Sequence, residues 1–75
     1  MISYAPLWET MKKKGATTYI LRGKGKDEPG YIGGQTVSRL KAGESVSTNT
    51  LDTLCRILDC DLSDIIRYIP DDTIT

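Results

Sequence analysis

The 75-residue sequence predicts an all-α domain of five short helices. Three observations carry that expectation. Leu51, Leu54, Cys55 and Leu58 recur at i, i+3, i+4, i+7, the spacing of a single helical face. Gly15, Gly23 and Gly43 each follow a stretch with helical character, where glycine commonly terminates a helix. Pro70 ends the last apolar run, because proline cannot continue a helix. A chain of this length forms one domain, residues 1–75, whose core is just large enough to fold alone, so a deep substrate cleft is not expected.

In the first helix Leu7 and Met11 stand four apart with Trp8 beside them, Pro6 suits a first turn and Gly15 closes the segment. Lys12, Lys13 and Lys14 complement the negative end of its dipole, with solvation as their default role and phosphate contact as a secondary one. Thr17 is placed to cap a short second helix through Tyr19, Ile20, Leu21 and Arg22, ended by Gly23. Tyr19 and Ile20 also favour a strand, which would pair with Tyr31 and Ile32 across a turn at Glu28-Pro29-Gly30-Tyr31.

Residues 23–30 read GKGKDEPG, too rich in glycine and charge for the interior of an element, and form a surface loop. Neither a phosphate-binding P-loop nor a dinucleotide fingerprint fits: the first needs a lysine followed by a hydroxyl residue, the second a glycine where Glu28 stands. Beyond the loop Ile32, Val37 and Leu40 point inward, leaving Gln35, Thr36, Ser38 and Arg39 on the other faces of a third helix at about 34–41 that Gly43 ends. Ser47 caps the fourth helix, which carries the Leu51 to Leu58 stripe. Asp61 caps a fifth, with Asp64 in its first turn and Leu62, Ile65, Ile66 and Ile69 inward as far as Pro70; residues 71–75 are a frayed tail.

The absence of histidine removes the commonest general base and metal ligand, and Cys55 and Cys60 are too few and wrongly spaced for structural zinc. No nucleophile with a base and no paired carboxylates can be named, so neither enzyme activity nor a metal or other cofactor is expected. Met1 to Thr10 lacks the basic and apolar segments of a signal peptide, and no stretch approaches membrane-spanning length. A cytoplasmic protein with reduced cysteines is expected, with Cys55 a small core residue. The net charge of zero conceals a polarity: residues 1–41 carry eight cations against three carboxylates, +5, and residues 42–75 two against seven, −5. One end of the chain suits a polyanion and the other does not.

Two short helices joined by a glycine-bearing turn, the second with a polar outer face, are what a helix-turn-helix DNA reader needs. Val37 and Leu40 hold the inner face. Gln35 can form two hydrogen bonds with adenine and Arg39 two with guanine, geometries that other bases do not match. Gly33 and Gly34 let the backbone approach phosphates, which the free amides of a helix N-terminus also attract.

The run Thr36-Val37-Ser38-Arg39-Leu40-Lys41-x-Gly43, followed by a hydroxyl-rich cap and Thr50-Leu51-x-x-Leu54-Cys55-x-x-Leu58-Asp59-Cys60, resembles the Cro/CI-type (XRE-like) helix-turn-helix regulators of bacteria, phages and plasmids. The likeness runs from about Leu7 to Pro70 and is closest to small single-domain members. It implies a lambda-repressor-like domain with a lengthened loop between the second and third helices. Thr17 to Leu21 then correspond to the family's second helix and Gly33 to Thr36 to the start of its recognition helix. Thr18 stands where the family often has a glutamine that holds phosphate and braces that helix. Gly34 stands where a base-reading side chain is common, which shifts reading to Gln35, Thr36, Ser38 and Arg39, and Arg22 replaces a usual small residue.

The resemblance implies a repressor-type transcriptional regulator that binds double-stranded operator DNA as a homodimer, with no membrane association and no small-molecule ligand. The implied DNA-binding set is Thr17, Thr18, Lys24, Lys26, Gly34, Gln35, Thr36, Ser38, Arg39 and Lys41, the two loop lysines as backbone contacts. The apolar ends, Ile2 and Tyr4 with Tyr68 and Ile69, are either the dimer surface or short paired strands that close the fold. An alternative is an antitoxin-like or adaptor module that holds a protein partner through Asp59, Asp61, Asp64, Asp71 and Asp72.

Overall fold

The structure is a computed structural model and describes residues 1–24 and 29–70. In chain order it contains β1 (Ile2–Ser3), α1 (Ala5–Lys14), α2 (Thr18–Leu21), α3 (Gly34–Ala42), α4 (Thr48–Leu58), a 3-10 turn (Leu62–Asp64) and β2 (Arg67–Tyr68). The first four expected helices are present. Helix α1 begins with Pro6 in its first turn and buries Leu7, Thr10 and Met11. It ends at Gly15 with φ 67°, where the Gly15 and Ala16 amides donate to the carbonyls of Lys12 and Met11 at 3.3 and 2.8 Å. That left-handed geometry is what glycine accepts without the steric cost of a Cβ.

At Thr17 to Leu21 helix prevails over strand. Thr17 is extended and α2 is a single turn, and a backbone bond from the Ile32 N–H to the Leu21 carbonyl, 2.8 Å, joins it to the chain beyond the loop. Burial of Leu21 and Ile32 decides the matter, because a turn of helix directs Leu21 into the core while Tyr19 and Ile20 stay exposed. Helix α4 starts as expected, with the Ser47 hydroxyl accepting from the Thr50 N–H at 3.2 Å. Its Leu54 and Leu58 are buried, and Leu51 and Cys55 pack half-buried against the same core.

The fifth helix is not formed; a single 3-10 turn takes its place, and the domain is not purely helical. The Asp61 N–H does donate to Asp64 Oδ2 at 3.1 Å, so the helix-start signal is used. The chain then turns away: Ile65 is fully buried, whereas Leu62 and Ile69 are 49% and 40% exposed rather than inward. The competing interaction is β pairing, which the β-branched run favours. Antiparallel β1 and β2 set Ile2 against Tyr68 and Ser3 against Arg67, and the Ile69 N–H donates to the Met1 carbonyl at 2.8 Å. The apolar ends of the chain thus meet as short strands. The tail at 71–75, including Asp71 and Asp72, lies outside the described residues.

Every helix contributes to one core of Tyr4, Leu7, Met11, Leu21, Ile32, Val37, Leu40, Leu54, Leu58 and Ile65. Polar ties run across it. The Tyr4 hydroxyl donates to the Glu44 carbonyl at 2.7 Å, and the buried Thr10 hydroxyl to the Asp64 carbonyl at 2.8 Å. Leu54 is fully buried, so Leu54→Ala should cost about 2 to 5 kcal/mol by removing packed atoms and leaving a cavity. Denaturant unfolding followed through Trp8 fluorescence would check this, and an unshifted midpoint would contradict the packing of α4. Ser47→Ala should lower stability by about 1 kcal/mol in the same assay, through loss of the cap.

Candidate nucleic-acid interface

Helix α3 is anchored by two residues three apart. Val37 and Leu40 are buried, which turns Gln35, Ser38 and Arg39 to the exposed face and leaves Thr36 half-buried at its margin. Gln35 and Arg39 are one turn apart, so their side chains lie on the same side of the helix. The residue before the helix, Gly33, offers no side chain as a cap, and the first backbone bond is from the Val37 N–H to the Gly33 carbonyl at 3.0 Å. The opening turn therefore presents amides with no side-chain cap, the arrangement that attracts an anion to a helix N-terminus. Gly43, at φ 75°, ends the helix as expected.

Thr17 and Thr18 stand at the start of α2, exposed and half-buried respectively, and the Thr17 hydroxyl makes no capping bond. They share an open groove with Lys41 from α3 and with Trp8, Met11, Lys12 and Ala16 from α1 and its end. Three of the expected positions, Thr17, Thr18 and Lys41, are thus brought together from two helices. Lys12 joins them, a residue for which the sequence suggests solvation first. Its signal is the position next to inward-facing Met11, which sets it at the edge of the buried face. Lys14 has a structural use instead: its Nζ donates to the Asp59 carbonyl at 3.4 Å, at the negative end of α4.

Lys24 is exposed and adopts a left-handed backbone with φ 60°. Lys26 lies outside the described residues. The segment between α2 and α3 covers residues 22–33, and two contacts fasten its far end: the Leu21 to Ile32 backbone bond and a 2.6 Å bond from Arg56 Nη2 to the Gly30 carbonyl. Gly34 sits beside a group that sequence reasoning did not assign to the site. A Cβ at Gly34 would lie 3.4 to 3.5 Å from Cζ, Nε and Nη2 of Arg22.

The acidic part of the chain lies elsewhere. Asp59, Asp61 and Asp64 line a concavity with Lys14 and Cys60 at the α4 end of the domain. Burial pushes the Cys55 thiol up, assisted by the nearby Asp52 carboxylate, and burial followed by the Cys55 sulfur pushes Cys60 up. Both thiols are free and pack partly against the core. Among the described residues no helix is long and apolar enough to cross a membrane.

This arrangement, two helices set across a buried seam with the second exposing a polar face, agrees with what the family comparison finds. The family model for the Cro/C1-type HTH DNA-binding domain matches residues 6–71, and the chain belongs to that family. Among solved structures it is similar to the transcriptional regulator VanUg, with 28% sequence identity, a TM-score of 0.75, and coverage of 93% of this chain and 87% of that one. Comparison with curated protein sequences gives no match.

The raised thiol pKa values leave less reactive thiolate at a given pH. At pH 8 the folded chain should therefore react with an aromatic disulfide reagent more slowly than the same chain in denaturant, as absorbance of the released thiolate would show. Equal rates would mean that Cys55 and Cys60 are not shielded.

Proposed function

We propose that this protein is a transcriptional regulator of repressor type that reads the major groove of operator DNA with α3. The observation that carries the reading is the two-sided character of that helix: Val37 and Leu40 are locked into the core while Gln35, Ser38 and Arg39 stand exposed in successive turns. Membership of the Cro/C1-type family and similarity to a transcriptional regulator support it. In this reading Gln35 and Arg39 meet base edges, with Ser38 and Thr36 at the flank. Thr17, Thr18, Lys12 and Lys41 hold the phosphate backbone alongside, and Lys24 and Lys26 reach it from the loop.

A base-reading helix on so small a domain covers only a few base pairs, so a two-fold operator bound by a homodimer supplies the rest of the site. The protein acts in the cytoplasm and carries no catalytic activity and no cofactor in this reading. The gathering of Asp59, Asp61 and Asp64 favours one second reading, an antitoxin-like or adaptor module that docks a protein partner on the acidic end. Selection of bound duplexes from a random pool separates the two. An enriched palindrome with steep salt dependence supports the regulator, and featureless weak binding removes it in favour of the adaptor.

Arg39→Ala should weaken binding to the selected duplex by about 1 to 3 kcal/mol and relax preference at one base pair, measured by fluorescence anisotropy on single-base variants. An equal loss on every sequence would make Arg39 a phosphate contact. Lys24→Ala and Lys26→Ala should each lower affinity on all sequences alike and flatten the salt dependence. An unchanged slope would show that the loop points away from DNA.

A further inference from the structure

We propose that Cys55 and Cys60 form a reversible intramolecular disulfide, a redox modification site that locks the end of α4 when a low-molecular-weight disulfide oxidises it. The two residues sit where the helix end closes on itself. Asp59 adopts a left-handed backbone, φ 51° and ψ 59°, and the Cys60 N–H then donates to the Cys55 carbonyl at 3.1 Å. Such a six-to-one closure brings the two side chains that flank it into contact, a place commonly taken by apolar residues. Here two thiols occupy it.

Covalent dimensions limit how far apart they stand. An N–Cα bond, the 3.1 Å hydrogen bond and the span from carbonyl oxygen to Cα put the two Cα atoms within about 7 Å of one another, the reach of a disulfide. The sulfurs also converge, because the Cys60 thiol donates a hydrogen bond to the Cys55 sulfur. Both residues are half-buried against the core. Cys60 lines the open concavity shared with Lys14, Asp59, Asp61 and Asp64, which gives a small reagent access to it.

The reaction is a thiol–disulfide exchange in two steps. Cys60 gives its proton to water, and its sulfur attacks one sulfur of the external disulfide, breaking that S–S bond and expelling one small thiolate. The Cys55 sulfur, likewise deprotonated, attacks Cys60 Sγ in the mixed disulfide and expels the second. The pair loses two electrons, and the external disulfide gains them and ends as two thiols. Burial and the carboxylates of Asp52, Asp61 and Asp64 keep Cys55 protonated; burial, Cys55 and Asp64 do the same at Cys60 against the opposing charge of Lys14. The exchange is therefore slow at neutral pH. Its product is stable nonetheless, because the fold already holds the sulfurs together. The bridge ties the last turn of α4 to the segment leading into the 3-10 turn and β2, and fixes Asp59, whose carbonyl Lys14 holds.

The test equilibrates the whole chain with 2-mercaptoethanol and its disulfide, an uncharged pair, in buffer and in denaturant, and counts free thiols by alkylation and mass spectrometry. A single chain lighter by two hydrogens is expected, with both cysteines protected and full reversal by excess reductant. The equilibrium constant for the bridge should be larger in the folded chain than in the unfolded one by roughly tenfold, equivalent to about 30 mV. Oxidation should raise the denaturant midpoint accordingly, because folding and bridging belong to one thermodynamic cycle. Cys55→Ser and Cys60→Ser should each give only mixed disulfides or cross-linked pairs of chains. The comparison of folded with unfolded chain uses the unmodified protein, so it stands whether or not these variants fold. A constant no larger in the folded chain, or mixed disulfides at both cysteines in place of the bridge, would overturn the proposal.

Discussion

The 2.8 Å backbone hydrogen bond from the Ile32 N–H to the Leu21 carbonyl, made by two residues with buried side chains, is the point on which the arrangement of α2 and α3 turns. It joins the end of one helix to a residue two positions before the next and closes the intervening loop at its base. A polar bond flanked by buried Leu21 and Ile32 is shielded from water, so opening it would expose backbone groups together with apolar surface. Loop length then matters little to the geometry of the pair. Arg56, donating to the Gly30 carbonyl from α4, holds the same region from the other side.

From that junction the remaining contacts follow in order. Because α3 starts two residues after Ile32, burying Val37 and Leu40 fixes its rotation, and Gln35, Ser38 and Arg39 are turned outward together. Because α2 ends there, Thr17 and Thr18 come to the same groove as Lys41, and Arg22 comes to Gly34. The chain ends are secured separately, by the pairing of β1 with β2 and by the Thr10 to Asp64 and Leu7 to Ile65 bonds that tie α1 to the segment before β2.

Charge is divided along the chain. Cations concentrate on α1, on α3 and between α2 and α3, and carboxylates on α4 and beyond. The cations are not equivalent. Lys14 is held by the Asp59 carbonyl at the end of α4, whereas Lys12 turns towards the groove at α2, a difference between neighbouring positions that only their angular offset on α1 produces.

Local chemistry was enough to read α1, α3 and α4 from the sequence: periodic apolar residues, a proline in the first turn, left-handed glycine ends and the Ser47 cap all act within a few residues of one another. The inward and outward faces of α3, and hence Gln35, Ser38 and Arg39 as its exposed set, follow from the same spacing. Tertiary structure decided the rest. Residues 61–69 carry a helix cap and helical spacing, yet after one turn they yield to pairing with residues 1–3, a partner more than sixty positions away that the sequence offers only as one of two uses of its apolar ends. The neighbourhood of Arg22 and Gly34 is of the same kind. The sequence separates them by twelve positions and a charged loop, and the chain must close through Leu21 and Ile32 before a guanidinium can occupy the space a glycine leaves.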